Sequence, residues 1–304
     1  MSTERAIKSV AIIGLGLLGG SIGLAIAEHA PEIATAGYDA DPKVRDKARE
    51  LGLVGSVADS AADAVREADL VILCVPVGAM AGAAHDIADT LPAHAIVSDV
   101  GSSKQSVAED LRAALPNNRV VPAHPVAGTE QSGPEAGFAS LFENRWCILT
   151  PPTGTNGDAV NALSDFWTRL GARVELMDAE HHDLVLAVTS HIPHLIAYTI
   201  VGTASDLEDV TRSEVIKYSA GGFRDFTRIA ASDPTMWRDV FLNNKPAVLE
   251  MLGRFTEDLT ALQRAIRRDD GEALFELFTR TRAIRRGIIE EGQDDERPDF
   301  GREH

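Results

Sequence analysis

The sequence predicts an α/β protein, a doubly wound parallel sheet followed by an all-α segment. Three observations carry that expectation. Short apolar runs such as Leu70-Val71-Ile72-Leu73-Cys74-Val75 alternate with helical patterns over the first part of the chain. A glycine-rich turn, Gly14-Leu15-Gly16-Leu17-Leu18-Gly19, separates the first such run from the first helix. From about Ala179 onward apolar residues recur at spacings of three and four, and no convincing strand follows.

In chain order, Val10 to Ile13 reads as a buried strand and Leu17 to Glu28 as a helix. Ile33 to Tyr38 is the second strand, and Pro42 opens a helix because its fixed φ suits a first turn. Leu70 to Val75 is the clearest strand, stopped by Pro76. Ala95 to Val100 is another, with a helix from about Ser103 to Leu115. Val120 to Ala123 and Trp146 to Leu149 supply further strands. After Pro151-Pro152 come a helix from Asp158 to Leu170 and a short strand at Arg173 to Leu176. Pro193 and Pro246 fall within helical patterns and should kink or restart them. Leu252, Phe255, Leu259, Leu262 and Ile266 form one apolar stripe, and Leu274, Leu277, Thr281, Ile284 and Ile288 another. These seams suit another helix, within the chain or across a dimer. The expected boundaries are a first domain at 1–178, a helical domain at 179–291 and an acidic flexible tail at 292–304.

Bulk properties narrow the function classes. A net charge of −17 argues against nucleic acid or an anionic membrane as partner, and an anionic substrate would need a local cationic pocket. Only Cys74 and Cys147 occur, without metal-ligand spacing, which fits free thiols in a reducing cytoplasm. No signal peptide or membrane span is evident, so a cytoplasmic location is expected.

The glycine-rich turn has the context of a dinucleotide site. Gly14 permits the tight turn, Gly16 lets backbone approach a pyrophosphate, and Gly19 lets helix and strand pack closely. Leu17 and Leu18 open the helix beside it, and Val75 and Pro76 are expected at the cofactor from the neighbouring strand end. Asp39 ends the second strand, where a carboxylate can hold a ribose 2′-hydroxyl and repel a 2′-phosphate; this favours NAD over NADP. The glycines also read as a packing turn, and Asp39 as a turn residue before Asp41-Pro42. His124 follows the apolar pair Val120-Val121 and is expected where a strand of the cofactor domain ends. There an imidazole can take a proton while a hydride leaves, or serve as a structural histidine satisfied by backbone.

Several segments in one order carry a resemblance. They are Gly14 to Ser21, Asp99-Val-Gly-Ser-Ser-Lys104, His124-Pro-Val-Ala-Gly-Thr-Glu130, His191-Ile-Pro-His194 and Gly221-Gly-Phe-Arg-Asp-Phe-Thr-Arg228. Together they resemble the prephenate/arogenate (cyclohexadienyl) dehydrogenases of tyrosine biosynthesis, over about residues 8 to 290. The resemblance implies a Rossmann-type domain, a helical substrate-binding and dimerisation domain, and a homodimer formed through the C-terminal helices. It implies NAD-dependent oxidative decarboxylation of prephenate to 4-hydroxyphenylpyruvate, of arogenate to tyrosine, or of both. By resemblance His124 accepts the 4-hydroxyl proton, and Ser102 supports it and touches substrate. Ser102 by itself reads as a helix cap. Arg228 matches a substrate-binding arginine and His194 a pocket histidine. The departing ring carboxylate must leave as neutral carbon dioxide, so Arg228 is expected on the side-chain carboxylate instead. Gly221 and Gly222 are expected to let backbone pass close to ligand, Glu130 to gate or order its loop, and Trp237 to shape the pocket or fill core. The adjacent charges Arg224 and Asp225 read as a solvated pair near the pocket mouth.

His181, His182, His191 and His194 cluster in sequence, but no convergent carboxylate set is evident and hydride transfer needs no metal; none is expected. The chain leaves no room for a fused chorismate mutase or a regulatory domain, so any tyrosine feedback would act at the active site. Two other readings share parts of this plan. A β-hydroxy acid dehydrogenase or imine reductase would place a catalytic lysine on the helical domain. A non-catalytic NAD-responsive regulator would need only residues 14–39 and the dimer.

Overall fold

The computed structural model describes residues 6–117, 119–206, 217 and 221–290. The chain divides into two compact units, residues 1–248 and 249–304. In the first unit, β1 (Ser9–Ile13), β2 (Ala34–Tyr38), β3 (Ser56–Val57), β4 (Leu70–Leu73), β5 (Ile96–Asp99) and β6 (Arg119–Val120) form an all-parallel sheet. Its order is β3-β2-β1-β4-β5-β6.

Both faces of this sheet are covered. Val10, Ile12, Leu70 and Ile72 share a core with α1 (Leu17–His29), α2 (Pro42–Leu51) and α6 (Gly157–Arg169). Ala11, Ile13, Val71 and Leu73 share the opposite core with α3 (Ala61–Val65), α4 (Met80–Ile87) and α5 (Gln105–Ala114). A strand buried on both faces has no reason to alternate, which is why Leu70 to Leu73 is a continuous apolar run. That strand ends at Leu73, earlier than the Val75 expected, because Cys74 to Pro76 lead into a 3₁₀ turn at Val77–Ala79. The strand order reverses between β1 and β4, which opens a crevice at their carboxyl ends where Gly14 and Cys74 emerge.

Val120 to Ala123 is not one strand. Val121 gives the last ladder hydrogen bond, to Val97 O at 2.9 Å, and Pro122 has no N–H to extend it. The chain crosses there into a second sheet of β7 (Ala123–Pro125), β8 (Trp146–Leu149) and β9 (Arg173–Leu176). β7 runs antiparallel to β8, and β8 parallel to β9. His124 is therefore the middle residue of β7, opposite Ile148, and does not sit at a strand end of the main sheet. Ala123 packs into the core with Cys147 and Leu149, so the pleat turns the His124 side chain to the other face.

A continuous helical run follows, made of α7 (Ala179–Leu186), a π turn (Ala187–His191) and α8 (Ile192–Ser205). Pro193 occupies the first turn of α8, as a restart requires, and the π turn absorbs the lost hydrogen bond. By length and composition alone this 27-residue run is apolar enough to cross a membrane, a property not expected from the sequence. Its buried polar residues are instead tied into the site described below. The unit continues with α9 (Gly221–Thr227), a 3₁₀ turn (Arg228–Ala231) and α10 (Pro234–Asn243). Pro246 restarts the helix as the second residue of α11 (Lys245–Arg267).

The second unit holds the rest of α11 and α12 (Gly271–Glu290). On the stripes Leu259, Ile266 and Ile284 are 48–62% exposed, while Leu252, Phe255, Leu262, Leu274 and Leu277 are half-buried; Phe275 and Phe278, beside the second stripe, are 72% and 57% exposed. The tail at 292–304 and the side chain of Ile288 lie outside the described residues.

Candidate active site

The crevice at β1 and β4 fits a dinucleotide. Gly14 has φ +99, and a Cβ there would lie 2.5 Å from Cys74 O and 3.2 Å from Val75 Cγ1. A Cβ on Gly19 would lie 1.9 Å from Gly14 O, so only glycine lets α1 start this close to β1. Gly16 caps α1 without any side-chain hydrogen bond, and the space over its Cα is open. The leading N–H groups of α1, including those of Leu17 and Leu18, thus stand where a pyrophosphate would take them. Asp39 holds the glycine-rich turn, accepting from Leu15 N at 2.8 Å through Oδ2 and from Asp41 N at 2.9 Å through Oδ1. It acts as a turn residue and still keeps lone pairs for a ribose diol. Arg45, the nearby cation, donates to the backbone oxygens of Asp39 (2.7 Å) and Ala40 (3.2 Å). Pro76 begins the 3₁₀ turn beside Val75.

His124 is buried, and its Nδ1 lies 2.9 Å from Nε2 of His182. The rings meet edge to face, with centroids 5.1 Å apart. His182 Nδ1 in turn lies 2.9 Å from Asp183 Oδ1. Asp183 also accepts the backbone N–H groups of Lys104 (2.7 Å) and Gln105 (3.0 Å), so it caps α5 from a distant helix. That corrects the capping role expected of Ser102: α5 starts at Gln105, and no serine side chain caps it. Ser102 lies partly buried in the preceding turn. Asp183 is a single carboxylate at these histidines, bonded to His182.

Beneath His124 is an ion pair with no exposure, Lys104 Nζ to Asp99 Oδ2. Lys104 Nζ also donates to Ala123 O at 2.7 Å, while Asp99 Oδ1 accepts from Ala123 N at 3.2 Å. Both polar groups of the residue before His124 are thus held by one buried pair. Asn244 completes the cluster, donating to Asp183 O at 2.8 Å and to His191 Nδ1 at 3.1 Å. His191 is a fully buried core histidine, its pKa pushed down by burial to about 4. Burial, reinforced by any charge on His182, Lys104 and His191, holds His124 well below the ordinary imidazole range. At neutral pH it is an uncharged base.

A second group lies alongside. His194 stacks on Trp237 with centroids 3.6 Å apart, and its Nδ1 contacts Ser190 O at 2.9 Å. Burial and then the Arg228 cation lower its pKa. Trp237 is buried, and its ring also stands 6.1 Å from that of His191, which links the two groups. Arg228, half exposed, pairs through Nη1 with Glu130 Oε2 at 2.7 Å. Gly221 and Gly222 open α9; over Gly222 a Cβ would meet nothing within 4 Å, so no described residue demands glycine there. Arg224 lies within α9. Lys104, His182, Asp183 and Asn244 were given no role from the sequence. One signal available was a charge within an apolar run, Asp99 in Ala95 to Val100, the partner that Lys104 finds.

Residues 22–176 match the model of the prephenate dehydrogenase nucleotide-binding domain, and 178–280 that of the prephenate dehydrogenase dimerization domain. A cyclohexadienyl dehydrogenase of Zymomonas mobilis is 48% identical over 91% of this chain and 95% of its own length. A prephenate dehydrogenase of Bacillus subtilis is 36% identical over 92% of this chain and 76% of its own. The crystal structure of the A. aeolicus prephenate dehydrogenase, in complex with hydroxyphenyl propionate and NAD+, superposes with a TM-score of 0.87. It is 35% identical and covers 93% of this chain and 99% of that one. Sequence motifs, sheet topology and these matches agree: the chain belongs to the prephenate dehydrogenase family, an oxidoreductase built on a Rossmann-type nucleotide-binding domain.

Proposed function

We propose that the protein catalyses the NAD-dependent oxidative decarboxylation of prephenate to 4-hydroxyphenylpyruvate, of arogenate to tyrosine, or of both. The observation that carries this is His124: a buried, neutral imidazole on β7, with a cation, Arg228, paired to Glu130 in the loop that follows that strand. The ligand of the A. aeolicus structure, hydroxyphenyl propionate, has the hydroxyl and the carboxylate that such a pair would hold. NAD, when bound, supplies the hydride acceptor. The protein has two further tasks. His124 takes the 4-hydroxyl proton, and Trp237 and His194 wall the ring. The departing carboxylate meets no strong cation, because Arg228 takes the side-chain carboxylate. Ser102, in the turn before α5, supports His124 and touches substrate in this reading.

Arg228 already gives one of its guanidinium donors to Glu130, so a substrate carboxylate would compete with Glu130 for the cation. In this reading Glu130 keeps the cationic pocket closed until substrate arrives. Asp39 selects NAD over NADP, and Gly221 and Gly222 let backbone approach the ligand at the pocket mouth. Mixing the protein with NAD and prephenate should produce NADH absorbance. No signal with either prephenate or arogenate would sink the proposal. Arg228→Ala should raise KM about 10- to 100-fold with kcat little changed, the loss of a charged hydrogen bond worth about 1.5–3 kcal/mol. An equal rise for an analogue without the side-chain carboxylate would show that Arg228 does something else.

We also infer a homodimer in which residues 179–291 form the substrate-binding and dimerisation domain. The exposed apolar side chains of α11 and α12, Leu259, Ile266 and Ile284 on the stripes and Phe275 and Phe278 beside them, support this, since such apolar area favours burial against a second copy. Light scattering should give twice the chain mass; a concentration-independent monomer would refute it. The two free cysteines fit a reducing cytoplasm.

A further inference from the structure

We propose that His182, held by Asp183, is a positioning residue that fixes the tautomer of His124 and so leaves Nε2 of His124 as the basic nitrogen facing substrate. The inference rests on the function proposed for His124 and deepens it.

The argument is one of donors and acceptors. Asp183 Oδ1 already accepts the Lys104 N–H at 2.7 Å, and Oδ2 accepts the Gln105 N–H at 3.0 Å. A carboxylate only accepts, so the proton in the 2.9 Å contact with His182 belongs to His182 Nδ1. The other nitrogen of a neutral His182, Nε2, then carries a lone pair. It lies 2.9 Å from His124 Nδ1, which must therefore donate. A neutral imidazole has one N–H, so His124 Nε2 is left unprotonated. The reverse tautomer would set two lone pairs against each other at 2.9 Å inside a buried site.

Each joint of this relay is held by hydrogen bonds. The Asp178 side chain accepts from Glu180 N and His181 N, fixing the start of the helix that carries His182. Asn244 holds the carbonyl of Asp183 at 2.8 Å. The β7–β8 register and the Asp99–Lys104 pair hold His124 from the other side. Charged and titratable groups acting on the two imidazoles are Asp99 at the end of β5, Lys104 before α5, Asp183 on α7 and His191 in the π turn, with His194 on α8 acting on His191. Burial is the largest influence on His182 and favours its neutral form, and Lys104 acts in the same direction, against Asp183 and Asp99. If His182 became protonated at low pH, its Nε2–H would donate to His124 Nδ1 and reverse the relay. Two histidines would then limit the acid side of the rate profile.

Nitrogen-15 NMR of the full-length protein labelled at histidine should show His124 protonated at Nδ1 and bare at Nε2 at neutral pH, assigned by its loss in His124→Asn. In steady-state assays His182→Leu removes the acceptor and should lower kcat about 10- to 100-fold, with KM for prephenate within about threefold. Its acid limb should also move. His182→Gln places an amide oxygen where Nε2 stood and should recover most of the lost rate. NAD binding, followed by fluorescence titration, should match wild type in both variants. An Nε2–H tautomer in the wild-type spectrum would overturn the proposal. So would a glutamine variant no better than leucine when both bind NAD normally. If wild type turns over neither substrate, the proposed function fails while the NMR result still decides the tautomer.

Discussion

Replacing His124 by Asn should lower kcat by about 10²- to 10⁴-fold, the range over which a positioned general base contributes. KM should stay within a few-fold, because His124 handles a proton and Arg228 carries the ligand's charge. Asparagine is near in size to the imidazole it replaces, so β7 should keep its pairing with β8 through Ile148. The pH dependence gives a sharper check. The base must be unprotonated to act, and burial depresses the His124 pKa from its usual 6.5. Activity is therefore present above the depressed value and lost as pH falls through it. In wild type the acid limb of kcat/KM should lie below pH 6.5, the ordinary imidazole value. In His124→Asn the part of that limb belonging to His124 should vanish, leaving a low, flatter profile. A variant within a few-fold of wild type at neutral pH would remove His124 from the chemistry.

How far the sequence foretells this site depends on how local each physical cause is. The main sheet was legible because burial on both faces writes itself as runs like Leu70 to Leu73, and because Gly19 is demanded by the backbone of Gly14 within one turn and Gly14 by its own positive φ. β3, with two residues, and α3, with five, are too short to leave a period. The second sheet was hidden for another reason. Its strands pair across a gap that runs from Pro125 to Cys147, and the sole local hint was Pro122, which cannot extend a ladder. The relay is less local still. Asp183 caps α5 from 79 residues away, so Ser102, next to the helix, took the role in the sequence reading. His182 stands in sequence only as one of four clustered histidines, and its role needs α5 and β7 placed against it. Lys104 within Asp99-Val-Gly-Ser-Ser-Lys104 carries no local sign of burial, since lysine is almost never fully buried unless paired.

That buried lysine supports the second large effect. Lys104→Met should destabilise the protein by about 3–5 kcal/mol, the cost of leaving one charge of a buried pair uncompensated. For a unit of this size that lowers Tm by on the order of 10 °C. The pair is wholly inaccessible, and burial pushes the Asp99 pKa up and the Lys104 pKa down, each opposed mainly by the other. Methionine fills similar volume, so the loss is electrostatic and not a cavity. It also leaves Ala123 O without its donor, which loosens the residue before His124. Activity per folded molecule should therefore fall too. A double-mutant cycle separates the two parts. Lys104→Met combined with Asp99→Asn removes the stranded charge and should recover a large share of the stability. It cannot restore the hydrogen bond to Ala123 O, so kcat should remain low while Tm rises. If the single variant unfolds in denaturant at the wild-type midpoint, the pair does not hold this strand. If the double variant recovers kcat as well as Tm, the strand needs only neutrality and not the lysine.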